Sequence, residues 1–150
     1  MTLRPVGRLL AAGWLLAASF AAWPQGDKVY AQHCSACHQP DGSGTVGLAP
    51  ALKGEHGQKL SQDRTYLALV VLKGLAGRIT VNAQNFVGSM PPWAEQISDA
   101  DMAELLNHVQ ALQGFAQGAP YRAEEVAALR ANPGSPMSSL QLRQRILGAR

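Results

Sequence analysis

Apolar positions along the chain follow a helical rhythm in some stretches and none in others. Residues 9–22 form an uncharged, mostly apolar run. Further on, Val29, Tyr30 and His33 fall on neighbouring turns of a helix predicted to run to about Cys37, with Asp27 placed to cap it. A second predicted helix begins at Ser61 or Asp63, turns Tyr66, Leu69, Val70 and Val71 to one face and stops at Gly74. The clearest has Ser98 as N-cap, Asp99 and Asp101 at the positive end of its dipole, and Met102, Leu105, Leu106, Val109 and Leu112 at helical spacing up to Gly114. Two short candidates follow. One spans 124–131 with Val126 and Leu129 inward and breaks at Asn132-Pro133-Gly134; the other spans 139–147 with Leu140, Ile146 and Leu147. Residues 39–58 and 75–97 are punctuated by Gly and Pro and read as loops. With no alternating strand pattern and no internal repeat, the expectation is an all-α protein of three to five helices with long loops. Such loops are uncommon in a compact domain unless they wrap a bound object.

The first apolar run is not part of that fold. Arg4 and Arg8 precede it, Ser19-Phe20-Ala21 offers small residues where a signal peptidase reads, and the run is shorter than the roughly 18 apolar residues of a membrane span. It predicts a secretory signal over 1–21, cut after Ala21, with no stable membrane span afterwards. No Cys follows the run to take a lipid. The mature chain is then expected outside the cytoplasm, in a bacterium the periplasm.

Charge divides the remainder. The net +3 conceals a middle, 22–120, with six Lys/Arg against eight Asp/Glu, and an end, 121–150, with five Arg against two Glu. The chain therefore reads as a signal, a domain over 22–116, and a basic tail over 117–150. No basic stripe interleaves with aromatic residues, which argues against a nucleic-acid partner.

The only two cysteines are Cys34 and Cys37. A disulfide closing so short a loop would restrain little of the unfolded chain. Cys34-Ser35-Ala36-Cys37-His38 is instead a C-x-x-C-H run, the attachment pattern of c-type haem. Near the end of a helix, residues three and four apart share a face. Two thiols there can add to the two vinyl groups of one porphyrin, and the next residue aims an imidazole at the iron. A thioredoxin-like pair would follow a strand and open a helix. A zinc site would need further ligands, for which His33 and His56 are the nearby candidates. For the sixth iron position the candidates are Met90, Met102 and Met137, with His56 and His108 as alternatives. Met102 belongs to a helix's apolar stripe, Met137 lies in the tail, and both histidines read as surface residues. Met90 sits in Gly88-Ser89-Met90-Pro91-Pro92-Trp93, where two prolines stiffen the chain behind it.

Taken in order, the 26–30 start, the Cys34–His38 run, Gly42-Ser43-Gly44, Gly47-Leu48-Ala49-Pro50-Ala51-Leu52, Met90-Pro91-Pro92-Trp93 and Ser98-Asp99-Ala100-Asp101 resemble the bacterial class I monohaem cytochromes c over about 24–114. The resemblance implies a cytochrome c-like fold wrapped around one covalent haem c, with His38 and Met90 as axial ligands to its iron. It also implies that Gly26 and Tyr30 cross the last core helix at Leu105 and Val109. Pro50 would accept the His38 ring N–H, and Leu52, Val70 and Leu72 would be pocket apolars. Haem propionates need hydrogen-bond donors, for which Arg78, Asn82, Gln84 and Trp93 are the candidates. The tail has no counterpart in the minimal family domain.

The function expected on this basis is electron transfer between Fe(II) and Fe(III), without catalysis by the chain itself. It would act as a soluble shuttle or as the haem subunit of an oxidoreductase. Partners would be a periplasmic dehydrogenase, a quinol-oxidising complex or a terminal oxidase or reductase. The tail tips the balance slightly toward the subunit. The other readings are a haem enzyme or gas sensor with a displaceable sixth ligand, and a thiol-redox protein.

Overall fold

In a computed structural model, which describes residues 25–114 and 119–148, two long-range features organise the chain: its first helix crosses the one that begins at Asp99, and the segments between them fold around a cavity. Helix α1 (Gly26–His33) is followed after Cys34 by the single turn α2 (Ser35–His38). Helix α5 (Asp99–Gln113) starts at Ser98, whose hydroxyl accepts from the Asp101 N–H at 3.2 Å, and ends on left-handed Gly114. The crossing is close because Gly26 has no side chain; a Cβ there would collide with the Glu104 carbonyl. Tyr30, one turn on, is buried and meets the His108 ring at 5.2 Å between centroids. Met102, Leu105, Leu106 and Val109 fill the core beneath, as the helical spacing of α5 predicts.

Helix α4 (Arg64–Lys73) is capped by Asp63, which accepts from the Thr65 N–H at 2.9 Å, and closes at Gly74. Before it lies α3 (Glu55–Leu60), a short helix inside a segment expected to be loop.

Strands β1 (Leu75–Val81) and β2 (Gln84–Met90) form an antiparallel hairpin, which the sequence reading missed. Its turn residues Asn82 and Ala83 both have positive φ, the twist that suits a two-residue hairpin. The alternation is present once the glycines are counted as inward positions. Leu75, Gly77, Ile79 and Val81 share one face of β1 with Phe86, Gly88 and Met90 of β2, whereas Arg78 and Thr80 face outward and are exposed. Gly77 reads as a breaker in the sequence alone. In the fold it makes room for Leu140, whose Cδ2 would lie 2.7 Å from a Cβ. The protein is thus predominantly helical, with seven helices among the described residues rather than three to five, plus one small sheet.

The predicted signal, 1–21, lies outside the described residues. The basic tail does not stand away from the body. Helix α6 (Ala123–Ala131) buries Val126 completely against α4 and α5. Helix α7 (Pro136–Leu147) opens with a reciprocal Ser135–Ser138 capping box and Pro136 in its first turn, and lies across α3, α4 and β1. Polar pins hold the two in place. Arg64 grips Glu125 with two bonds of 2.7 and 2.9 Å, and Arg130 meets Asp99 at 2.7 Å. The pairs run in opposite senses: the body supplies the cation to Glu125 and the carboxylate to Arg130.

Tyr121 anchors the entry to this segment. Its N–H donates to Asn107 at 2.7 Å, its hydroxyl donates to the Arg64 carbonyl at 2.6 Å, and the Arg64 guanidinium lies 4.1 Å from the ring centre. Burial pushes its phenol up from 10.0 to about 12, against the lowering pull of Arg64. The folded state therefore holds a proton that the unfolded chain releases, so this contribution is intact below about pH 10 and lost as pH rises through about 12. The unfolding free energy of the holoprotein, measured by urea titration at stepwise alkaline pH, is expected to fall across that window. In Tyr121→Phe the fall should be shallower, although the variant starts from a lower value for want of the Arg64 bond.

Candidate functional site

The break between α1 and α2 presents two sulfurs and an imidazole within one turn. The Cys34 N–H still bonds back to the Tyr30 carbonyl at 2.8 Å, and the His38 N–H reaches the Cys34 carbonyl at 2.9 Å. Both cysteines are free thiols, Cys34 buried and Cys37 exposed. Burial, with Cys37 adding to it, pushes the Cys34 thiol up to about 11.

His38 Nδ1 lies 3.1 Å from the Pro50 carbonyl. A carbonyl only accepts, so Nδ1 carries the ring proton and Nε2 keeps its lone pair. Burial holds the ring's pKa below the ordinary value, with the Pro50 bond partly opposing the shift. The result is a neutral, oriented imidazole, the form that binds a metal. Pro50 reaches His38 because the intervening loop closes tightly. The Gly44 N–H bonds to the His38 carbonyl at 2.9 Å, and Thr45 Oγ1 donates to the Cys37 carbonyl at 2.8 Å. A side chain at Gly44, where φ is +79°, would strike the backbone of 49–51.

These groups face a largely apolar cavity. Its walls are the Leu48–Leu52 loop, one face of α4 and the inward face of the hairpin. Met90, the last residue of β2, lies on that lining. Gly74 sets its position, since a Cβ there would sit 2.5 Å from the Met90 carbonyl oxygen and 3.1 Å from the Pro92 nitrogen. Trp93 returns the chain to α4 by an N–H bond of 3.0 Å to the Val71 carbonyl and packs edge-on against His33, 5.0 Å between centroids.

The structure thus brings Cys34, Cys37, His38, Pro50, Leu52, Val70, Met90 and Trp93 to one cavity. It does not bring Arg78, Asn82 or Gln84 there: strand alternation turns Arg78 to the outer face, Asn82 lies in the turn, and Gln84, opposite Val81 at the turn end of the hairpin, is exposed and off the lining. Leu72 is fully buried in the core instead of the cavity wall, as is Met102. Met137 is exposed and His108 packs on Tyr30, both off the lining. His56 is no surface histidine. It lines the cavity, with Nε2 3.1 Å from the Ala51 carbonyl. Tyr66 and Arg143 also reach the cavity and were not anticipated. A signal for Arg143 existed: Ser139, Leu140 and Arg143 mark one buried face of α7, and a charge on such a face is unusual.

No three His, Cys, Asp or Glu side chains among the described residues converge to hold a bare metal ion, which counts against a zinc site. The pair Cys34/Cys37 follows a helix, unlike a thioredoxin-type pair.

Comparison with known proteins decides the family. Residues 21–109 match the family described as cytochrome c oxidase, cbb3-type, subunit III. A cytochrome c-552 of Thermus thermophilus is 38% identical over 145 residues, covering 93% of this chain and 97% of that protein. The chain belongs to the monohaem c-type cytochromes. Its cofactor is covalently bound haem c with iron, and its work is electron transfer. Similarity at 32% identity extends to the cytochrome c subunit of gluconate 2-dehydrogenase from Pantoea cypripedii, over 70% of this chain but 24% of that protein. The Thermus alignment leaves too little of this cytochrome unmatched to exclude the whole of 121–150, so that relative shares at least part of the C-terminal segment.

The donor set suits the cofactor: two thiols for two vinyl groups, a lone-pair nitrogen and a thioether for the iron, and apolar walls for the macrocycle. Gly74→Ala tests how Met90 is held. Gly74 has φ +77° and ψ −178°, a combination open to little but glycine, so the variant is expected to lose about 1–3 kcal/mol. Because the added methyl pushes on the Met90 carbonyl, the ferric absorption spectrum should change with it. A normal spectrum at lowered stability would put the strain elsewhere.

Proposed function

We propose that Cys34 and Cys37 hold the haem through thioether bonds and that His38 Nε2 and Met90 Sδ take the two axial positions. The convergence of both thiols, the oriented His38 ring and Met90 on one apolar cavity supports this most directly. An iron filled on both faces has no position for substrate. Its ligands stay in place between Fe(II) and Fe(III), so little rearranges when an electron moves. The apolar cavity and the methionine both favour the reduced state and raise the potential. A displaceable sixth ligand, as in a gas sensor, would need Met90 loosely held. Instead it is flanked by β pairing to Leu75, the close Gly74 contact and two prolines.

The chain acts as an exported carrier, its signal removed near Ala21; the family match begins at residue 21. Among the described residues no helix is long and apolar enough to cross a membrane. A redox partner, such as a periplasmic dehydrogenase, a quinol-oxidising complex or a terminal oxidase or reductase, meets the cavity at Cys37 and Leu48, which line it and are exposed. The tail is occupied with α4, α5 and β1 of its own chain. That weighs toward the shuttle over the permanent subunit.

Two measurements test the assignment. After expression with a haem-attachment system, the chain should retain haem stain through denaturing electrophoresis, and the double variant Cys34→Ser/Cys37→Ser should show none; stain surviving in the double variant would sink the thioether assignment. The oxidised protein should show the weak far-red band of methionine-ligated ferric haem. In Met90→Ala that band should vanish and the reduction potential fall, whereas an unchanged spectrum and potential would remove Met90 from the iron.

A further inference from the structure

The tail helix brings a cation into the haem cavity. Arg143, on the buried face of α7, is 5% exposed. Its guanidinium carries five donors and a full charge. The partners it has are neutral: the Tyr66 hydroxyl at 3.2 Å and, at the limit of a hydrogen bond, the Thr80 carbonyl at 3.5 Å. The ion pairs among the described residues are Arg64–Glu125 and Arg130–Asp99, so Arg143 has no carboxylate among them. A buried charge without a counter-ion is costly, and proteins rarely leave one uncompensated.

A buried nitrogen without a partner shares the same cavity. His56 Nδ1 is buried without a hydrogen-bond partner, while Nε2 donates to the Ala51 carbonyl. Burial and the nearby Arg143 charge both depress the ring's pKa. One object would satisfy both residues: an acid group lying between a guanidinium and an imidazole nitrogen. Arg143 would neutralise its charge. Nδ1 would gain a partner whichever side of that bond holds the proton.

The cofactor already assigned to this cavity carries two such groups. Resting on the haem assignment above, we infer that Arg143 and His56 bind a haem propionate, so that α7 completes the haem pocket instead of merely covering the fold. This replaces the hairpin donors Arg78, Asn82 and Gln84, which lie outside the cavity lining. It also gives the tail a functional reason to be docked: it brings a positive charge close to the iron and stabilises Fe(II) relative to Fe(III).

The test uses the full holoprotein and a small set of variants. Arg143→Met should shift the propionate bending mode in the resonance Raman spectrum and lower the reduction potential, because the cation that disfavours Fe(III) is gone. Arg143→Lys, which keeps the charge, should retain most of the potential while altering the propionate mode. Leu140→Ala is the control for docking alone. Leu140 packs against Gly77 on the same helix, so its loss should lower the unfolding midpoint and leave potential and propionate mode as they were. His56→Ala should move the propionate mode with α7 itself left unmutated. Should Arg143→Met fail to fold, Arg143→Lys and His56→Ala decide the matter; normal propionate modes in both would overturn the inference. So would a shift in Leu140→Ala equal to that in Arg143→Met. The far-red band reports separately on the iron: its absence from the unmutated protein would refute the axial assignment, whereas its persistence in every variant with unmoved propionate modes would refute only the propionate contact.

Discussion

The proposed haem site sets one constraint: a flat, rigid cofactor held by a single turn of chain has to be met on its other face by something equally fixed. The proximal side is settled locally. Cys34, Cys37 and His38 lie within five residues, and the Pro50 carbonyl orients the imidazole through a bond of 3.1 Å. The distal side is a long-range problem, because Met90 is separated from His38 by most of the domain. The hairpin solves it. Antiparallel pairing sets Met90 opposite Leu75, and Leu75 directly follows Gly74 at the end of a helix packed in the core. The methionine's placement thus derives from the rigidity of α4, transmitted through Gly74 and the strand pairing, with Trp93 tied back to the same helix by the Val71 carbonyl.

That division explains what could be read from the chain. The helices were legible because their signals are local: Asp63 and Ser98 as caps, Gly74 and Gly114 as stops, and the α5 stripe from Met102 to Val109. The proximal cluster was legible for the same reason. The hairpin was not, since two of its inward positions are Gly77 and Gly88, which look like interruptions until the partner is known. Gly77 lacks a side chain because Leu140, more than sixty residues away, occupies the space. No window along the sequence holds both halves of that fact. The error about Arg78 follows directly. Read as loop, it is free to face the haem; read as strand, it alternates with Gly77 and Ile79 and faces solvent.

The C-terminal segment was the least legible part, and its chemistry changes the picture most. By composition it is a basic tail on a slightly acidic body. In the fold its arginines have separate duties. Arg130 pairs with Asp99 at the start of α5, where a carboxylate also suits the helix dipole. Arg143 goes inward. The partly exposed Arg130–Asp99 pair contributes little by itself. Its use is geometric, since together with Arg64–Glu125 and the Tyr121 anchor it fixes the path of the chain that leads to α7.

A single-haem carrier needs its iron shielded from water yet close to a partner, and these demands conflict on a domain this small. The fold separates them by edge. At the cysteine edge the protein is thin: Cys37 and Leu48 are exposed, and a partner can approach. Away from it the wall is shared: the hairpin's inner face lines the cavity, and α7 meets that face through Leu140 at Gly77 and sends Arg143 to the lining. A minimal domain ending at Gly114 would have the hairpin but nothing packed against Gly77, leaving a two-stranded sheet that is marginal alone. The tail therefore serves the same end as the methionine proposed for the iron, which is to keep the distal wall rigid while the iron changes charge.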